Sequence, residues 1–430
     1  MKSPCDLQTS HSNFGPRLFL KSLFEAAVAA ADPVAGIRHH LPAKPKGRTV
    51  VVGAGKGAAQ MARALEALWD GPLSGVVVTR YGYACATSRI EVVEASHPVP
   101  DAAGMVATEK LLDAIKDLSA DDLVIALICG GGSALLPAPP PGFSLEDEKQ
   151  LNEILLSSGA SISAMNVVRK HFSTIKGGRL AAATKAKVIS LIVSDIPGDN
   201  PAFVASGPTL ADDGTRSDAL ETVRRLGLRL PDRVLRHIAS PLADAPSPQN
   251  PVFARNSAHI IASAAISLDA AASVARKAGI EVAILSDSIE GESRDVALVH
   301  AAIAREIATR NRPVKKPVVL LSGGETTVTL RGKGGKGGRN SEFALSAALA
   351  LEGLDVVVLA ADTDGIDGSE NNAGAYCDGS TVRRLAACGL DAQRLLEENN
   401  SFSGFCAIDD LFVTGPTGTN VNDFRAILVV

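Results

Sequence analysis

TVVVGAGKGAAQMARALEALW (residues 49–69) passes from a β-branched run through three closely spaced glycines into an Ala/Leu-rich stretch with helical spacing. A strand apolar at successive positions is covered on both faces, and a helix that follows it after a short glycine turn is half of a βαβ unit. The pattern recurs outward in the chain. GVVVT (75–79), LVIALICGGG (123–132) and KVISLIVSDI (187–196) are the next β-branched runs, and AGMVATEKLLDAIKDL (103–118) is a further helix between them. Beyond residue 252 the alternation resumes with HIIAS (259–263), VAILSD (282–287), VVLLSGG (318–324), VVVLAAD (356–362) and FRAILVV (424–430). Such alternation implies an α/β protein with mostly parallel or mixed sheets and helices on both faces, so two three-layer α/β/α domains are expected. SPLADAPSPQNP (240–251), rich in Pro, Ser and Ala, is the natural boundary. The expected division is 17–240, a Rossmann-like domain, and 252–430, a second α/β domain, with 241–251 as linker. Ahead of both, LFLKSLFEAAVAAADPVAGIRHHL (18–41) predicts a helix, a break at Pro33 and a shorter helix.

With 430 residues the chain has room for two cores, and 46% hydrophobic with 21% charged residues is ordinary globular usage. A net charge of −4 and a pI near 6.1 give no overall attraction to nucleic acid or anionic membrane, so any basic site is local. Six cysteines (Cys5, Cys85, Cys129, Cys377, Cys388, Cys406) without a C-x-x-C pair suggest neither a disulfide framework nor a zinc site, which fits a reducing cytoplasm. The N-terminal stretch lacks the apolar core of a signal peptide, and no apolar run is long enough for a membrane span.

Loops at the carboxyl ends of α/β strands gather ligands. In the first, Lys56 sits among Gly53, Gly55 and Gly57. Read as a dinucleotide fingerprint, the third glycine is one residue early, and Arg80 at the end of the next strand suits a 2′-phosphate. Read as an anion site, the helix N-terminus and Lys56 attract a phosphate or carboxylate. Gly130, Gly131, Gly132 and Ser133 leave the next strand with backbone donors free to approach an anion, although Ser133 lacks the frame of a nucleophile elbow. Asp195 and Asp199 follow a third strand and suit Mg²⁺ or a hydroxyl proton. Glu325 occupies a tight strand-to-strand turn that reads equally as a hairpin tip. Asp362, Asp364 and Asp367 follow another strand; Ile366 at a ligand position excludes an EF-hand, and Mg²⁺ held by one or two carboxylates fits better. Thr417, Thr419, Asn420, Asn422 and Asp423 crowd a last polar turn.

RGKGGKGGRNSEFALSAA (331–348) runs into a helix that Asn340 or Ser341 caps, with Glu342 in its first turn. It is no Walker A loop. Arg339 stands at the positive end of the helix dipole, a placement that a bound phosphate reverses in sign. Arg331, Lys333 and Lys336 add only field. His97 in SHPVPDAAG is an acid/base candidate, and MNVVRKHFSTIKGGRLA offers Arg169 or Lys176 to clamp a small carboxylate.

In chain order, VVGAGKGA, SHPVPDAAG, CGGGSALL, MNVVRKHFSTIKGGRLA, SDIPGDNPAFVASGPT, SGGETTV, GKGGRNSEFAL, ADTDGIDG and TGPTGTNVNDF resemble the class II glycerate kinases, whose C-terminal part is called MOFRL, over roughly residues 17–430. The resemblance implies a site in a cleft between two α/β domains and transfer of the γ-phosphoryl of ATP to D-glycerate with Mg²⁺, most simply to 2-phosphoglycerate. It also makes Lys56 and Arg339 catalytic. Asp195 is expected to orient the substrate hydroxyl and, with Asp362 and Asp364, to hold metal. Gly131, Gly132, Ser133, Gly337, Gly338, Asn340, Glu342 and Asn420 are expected at the nucleotide, and Gly55, Arg169 and Glu325 at glycerate. One departure is SENN after D-G-I-D-G, where Asn371 replaces an aspartate seen in relatives. A homodimer is compatible with this reading. Because family members have also been labelled hydroxypyruvate reductases, an NAD(P)H-dependent hydroxypyruvate reductase is the alternative.

Overall fold

The computed structural model of the chain describes residues 15–330 and 335–430; Cys5, Arg331 and Lys333 lie outside them. Among the described residues two compact units emerge, one formed by residues 33–262 and the other by residues from 263 onward together with residues 15–32.

The 33–262 unit is built on β1 (Thr49–Ala54), β2 (Ser74–Arg80), β3 (Ile90–Ala95), β4 (Leu123–Cys129), β5 (Lys187–Val193) and β6 (Ser257–Ala262). All six are parallel, in the order β3-β2-β1-β4-β5-β6. Every residue of β1 and β4 is buried, which is why these strands read as unbroken apolar runs. Val50, Val52 and Ala54 enter a core with Ala107, Leu111 and Ile115 of the helix Ala102–Ile115, and Val51 is buried on the opposite face. The chain leaves β1 toward β2 on one side and returns to β4 on the other. The strand order therefore reverses between β1 and β4, where the Lys56 and Gly130–Ser133 loops emerge.

The second unit contains β7 (Glu281–Ser286), β8 (Gly291–Glu292), β9 (Val318–Gly324), β10 (Thr326–Thr327), β11 (Val356–Asp362), β12 (Gly374–Asp378), β13 (Leu411–Phe412) and β14 (Asp423–Val429). Its main sheet has the order β13-β12-β11-β14-β9-β7 and is mixed: β7 and β9 are parallel and the other pairs antiparallel. The register sets Asp423 of β14 beside Asp362 of β11 and Gly324 of β9. β10 does not fold back on β9; it pairs in parallel with β8, so Glu325 is not a hairpin tip.

The helix Pro16–Ala30 belongs to this second unit. Leu20, Leu23, Phe24 and Ala27 pack on Leu268, Ala271, Ala272 and Ala275 of the helix Ala264–Lys277, and Phe24 meets Phe412 and Phe424 edge-on at 5.0 and 5.7 Å. After the break expected at Pro33, the short helix Pro33–His39 joins the first unit.

The boundary expected at 241–251 is thus displaced, because β6 completes the parallel sheet and the Pro/Ser-rich stretch is tied to the first unit. The Ala243 carbonyl accepts from His171 Nδ1 and Arg179 Nη2 at 2.8 and 3.0 Å, and Asp244 pairs with Arg216. Composition there signals irregular backbone rather than a hinge.

Candidate active site

At the strand reversal of the first unit, three loops converge. The Lys56 N–H donates to the Gly130 carbonyl at 2.8 Å, Thr79 Oγ1 donates to the Lys56 carbonyl at 3.0 Å, and the Gly57 N–H reaches Cys129 Sγ at 3.2 Å. Gly55, expected at the substrate, is buried instead. Its φ of 138° and its backbone approach admit no Cβ, which would fall 2.4 Å from the Cys129 carbonyl oxygen. Gly131 has a φ of 78°, and a Cβ there would lie 3.0 Å from His97 Nε2 and 3.1 Å from Lys56 Cγ. On Gly130 a Cβ would lie 1.9 Å from Asp195 Oδ2. Lys56, His97, Ser133 and Asp195 therefore surround the glycine run, which makes room for them.

Together with Asn152, Asn166, Arg169 and Ser206 they line a cavity of about 210 Å³. Ser133 Oγ and Ser206 Oγ share a hydrogen bond at 2.8 Å, Ser206 donates to Asn166 Oδ1 at 2.8 Å, and Arg169 Nε donates to Asn152 Oδ1 at 2.8 Å. Ala205 and Ser206 hold left-handed φ values of 52° and 60°, a conformation that costs about 1–3 kcal/mol per residue and clusters at functional sites. Burial, reinforced by Lys56 and Arg80, pushes the His97 imidazole down to about 4, so it is neutral at pH 7. Burial also lowers the Arg169 guanidinium, against the pull of Glu148.

The other cations of the 165–181 motif are structural. Lys176 is buried on Glu148 at 2.7 Å and on the Leu136 carbonyl at 3.0 Å, Lys170 pairs with Asp212, and Arg179 donates to four backbone carbonyls. Of the two carboxylate clamps offered by the sequence, Arg169 faces the cavity and Lys176 does not. A larger cavity of about 320 Å³ lies at the opposite end of the sheet, where Leu123 and Lys187 begin their strands, away from the loops that gather ligands.

In the second unit Arg339 opens the helix Arg339–Ala350. Its Nε donates to Asp423 Oδ1 at 2.5 Å and its Nη2 to Asp362 Oδ2 at 2.6 Å, while Nη1 faces Glu325 at 3.7 Å. Burial works against the Arg339 charge, but Asp423, Asp362 and Glu325 outweigh it and hold the guanidinium above its ordinary value. Burial drives the Asp362 carboxyl upward, with Arg339 opposing and Asp364 and Asp423 adding to the rise.

The expected phosphate cradle is already filled by protein. The Asn340 and Ser341 N–H groups donate to the Asp367 carboxylate at 2.9 and 2.8 Å, and Ser341 Oγ adds a third bond at 2.5 Å. That internal anion meets the helix dipole. A Cβ on Gly338 would fall 2.3 Å from Asp367 Oδ1, and one on Gly337 2.3 Å from Ser401 Oγ, so these glycines admit protein atoms. Glu342, expected at the nucleotide, is buried between Arg294 and Asn399 at 2.8 Å from each. Asn340 is also buried and donates to Asp423 at 2.8 Å. Asn420 spans Asp364 Oδ2 and the Asn422 N–H.

Asp362 and Asp364 carry the oxygen donors that Mg²⁺ prefers, yet both Asp362 oxygens accept bonds, from Arg339 and from the Asp364 N–H at 3.1 Å. Among the described residues no three His, Cys, Asp or Glu side chains gather as a metal cage. Mg²⁺ commonly takes one or two carboxylates and completes its shell with water and phosphate; among the described residues Asp364 accepts only from the Ile366 N–H at 2.8 Å and Asn420 Nδ2 at 3.4 Å, whereas Asp362 is held by the Arg339 cation.

Sequence reasoning missed Ser206, Asn152 and Asn166 in the cavity, and the central place of Asp423. For Asp423 a signal existed: with Arg425 it puts two charges at i and i+2, on one face of an otherwise apolar strand.

Comparison with known proteins places these two units in a family. Residues 19–239 match a domain of unknown function, DUF4147, and residues 318–423 match the MOFRL family. A putative hydroxypyruvate reductase of Agrobacterium vitis is 48% identical, covering 96% of this chain and 94% of that protein. A glycerate 2-kinase of Pyrococcus horikoshii is 42% identical over 89% of this chain and 88% of its own length. The crystal structure of a glycerate kinase from Thermotoga maritima superposes with a TM-score of 0.87 at 38% identity, covering 96% of this chain and 99% of that one. With its glycine-framed Lys56, its Arg339 helix start and these matches along nearly its whole length, the chain belongs to the class II glycerate kinase family.

Proposed function

We propose that the protein is an ATP-dependent kinase that phosphorylates the C2 hydroxyl of D-glycerate to give 2-phosphoglycerate. The observation that carries this reading is one small cavity, at the strand reversal, that collects Lys56, Arg169 and Asp195. A three-carbon hydroxy acid needs a cation for its carboxylate, which Arg169 supplies, and an acceptor for its hydroxyl proton, which Asp195 supplies. Phosphoryl transfer is chiefly positioning and neutralisation of charge on the moving group, the work assigned to Lys56 and Arg339. Ser133, bonded to Ser206, orients the substrate. Asp364 is the carboxylate that would hold Mg²⁺, which would supply positive charge to neutralise the transferred phosphoryl group. The described cysteines are all free, in keeping with work in a reducing cytoplasm.

The strand order of the first unit is also that of dinucleotide-binding folds, which sustains the reductase as a second reading. Fold alone does not assign chemistry. The deciding experiment supplies D-glycerate with Mg-ATP and identifies the product by phosphorus NMR, with hydroxypyruvate and NADPH in parallel. ADP formation that depends on glycerate, with 2-phosphoglycerate as product, supports the kinase; NADPH oxidation alone supports the reductase. Lys56→Ala and Arg339→Ala each lower kcat by on the order of 10²–10³ while the fold persists, and rates near the parent's would sink both assignments.

A further inference from the structure

We infer that Asp423 is the positioning residue of Arg339: it fixes the guanidinium edge-on and leaves one end free for an anion. The inference rests on the phosphoryl-transfer role proposed for Arg339.

Asp423 is the first residue of β14 and is buried, and five donors converge on its carboxylate. Oδ2 accepts from the Thr326 N–H at 3.1 Å, from Thr326 Oγ1 at 3.2 Å and from Arg425 Nη2. Oδ1 accepts from Arg339 Nε at 2.5 Å and Asn340 Nδ2 at 2.8 Å. A carboxylate offers about four lone-pair sites, so this one is saturated and cannot turn. One oxygen is tied to the sheet, and the other holds the first two residues of the helix.

Arg425 is the fixed counter-charge. It is wholly buried, its guanidinium lies over the Phe343 ring at 5.2 Å, and it sits two residues from Asp423 on the same strand face. Burial opposes the Asp423 charge, but Arg425 and then Arg339 overcome it and keep the carboxyl below its usual range.

The guanidinium of Arg339 is gripped along one edge by Asp423 and at one tip by Asp362. Among the described residues its other tip, Nη1, meets only the exposed Glu325 at 3.7 Å, beyond hydrogen-bond reach. That asymmetry leaves Nη1 as the donor available to an incoming phosphoryl oxygen. A lysine cannot reproduce it, since an ammonium is a point charge without a fork.

The test uses the full chain. Arg339→Lys keeps a positive charge beside Asp423 and Asp362 and leaves Arg425 and Thr326 in place, and thermal denaturation checks that it is folded. Its kcat is expected within about tenfold of Arg339→Ala and far below the parent. A lysine variant that turns over near the parental rate overturns the inference. The second arm removes the carboxylate and its counter-charge together, as Asp423→Asn with Arg425→Gln, in the parental and the Arg339→Ala backgrounds. Thermal denaturation confirms that each variant is folded. In the parental background the pair is expected to lower kcat about 100-fold with the KM for glycerate within about threefold; in the Arg339→Ala background it lowers kcat by less than about threefold, because its effect runs through Arg339. Losses that multiply across the two backgrounds overturn the inference while leaving the role of Arg339 intact. Parental turnover by Arg339→Ala refutes that role first, and the inference with it.

Discussion

Replacing Gly130 with alanine tests whether the position of Asp195 governs the rate. The backbone of Gly130 is not in the left-handed region, so alanine itself is tolerated there. The added Cβ, however, would stand 1.9 Å from Asp195 Oδ2, 2.3 Å from its Cγ and 3.0 Å from its Cβ. The Asp195 Cβ is already at the limit of contact, so the carboxylate has to swing away by about 1 Å or more, a displacement that can cost about 100-fold in rate. That loss equals about 2.7 kcal/mol of transition-state stabilisation. The overpacking itself costs about 1–3 kcal/mol of stability. ADP release at saturating D-glycerate and Mg-ATP, with thermal denaturation on the same preparation, separates the two effects. A folded variant with kcat within threefold of the parent would refute the assignment of Asp195.

Lys176→Met leaves Glu148 in the interior without its cation, bonded to the Ala138 N–H at 2.9 Å, so thermal unfolding should lose about 3–5 kcal/mol, whereas Lys116→Met at the exposed pair with Asp113 should be nearly silent. Burial, opposed by the Val296 carbonyl and aided by Arg425, lowers the His300 imidazole to about 4, below its unfolded value near 6.5. Between pH 6.5 and 4 the unfolded chain binds a proton that the folded one refuses, so stability falls as the pH falls through that window. His300→Gln should flatten the fall of the melting temperature there relative to the parent and change nothing of the slope above pH 7; parallel slopes would refute it.

The βαβ character of the first unit and the Lys56, Gly130–Ser133 and Asp195 loops were legible because each depends on local order: an apolar strand, a glycine turn, a helix. In the Gly337–Glu342 segment, local order shows only part of what the structure holds. Glycines and a basic residue before a helix suit a phosphate locally, but the anion that meets the Asn340 and Ser341 N–H groups is Asp367, which the chain delivers from the end of a different strand. The hairpin expected at Glu325 failed because the partner of β10 is β8, on the far side of the helix Ser293–Arg310. The boundary was misplaced because prolines at 241–251 report local backbone and cannot report that β6 pairs with β5. Beyond its i, i+2 pairing with Arg425, the place of Asp423 was not legible, since four of its five donors come from other elements.

The helix Pro16–Ala30 has a consequence for how the chain is made. Its apolar face, Leu20, Leu23, Phe24 and Ala27, finds its partners only from Ala264 onward. At ribosomal rates of about 5–20 residues per second, the roughly 230 residues in between leave that stripe uncovered for some 10–50 s. The first unit completes its own sheet in that interval. A nascent chain therefore carries a sticky leading segment past a finished domain, and a C-terminal fragment expressed without residues 15–30 would expose Leu268, Ala271, Ala272 and Phe424 in its place.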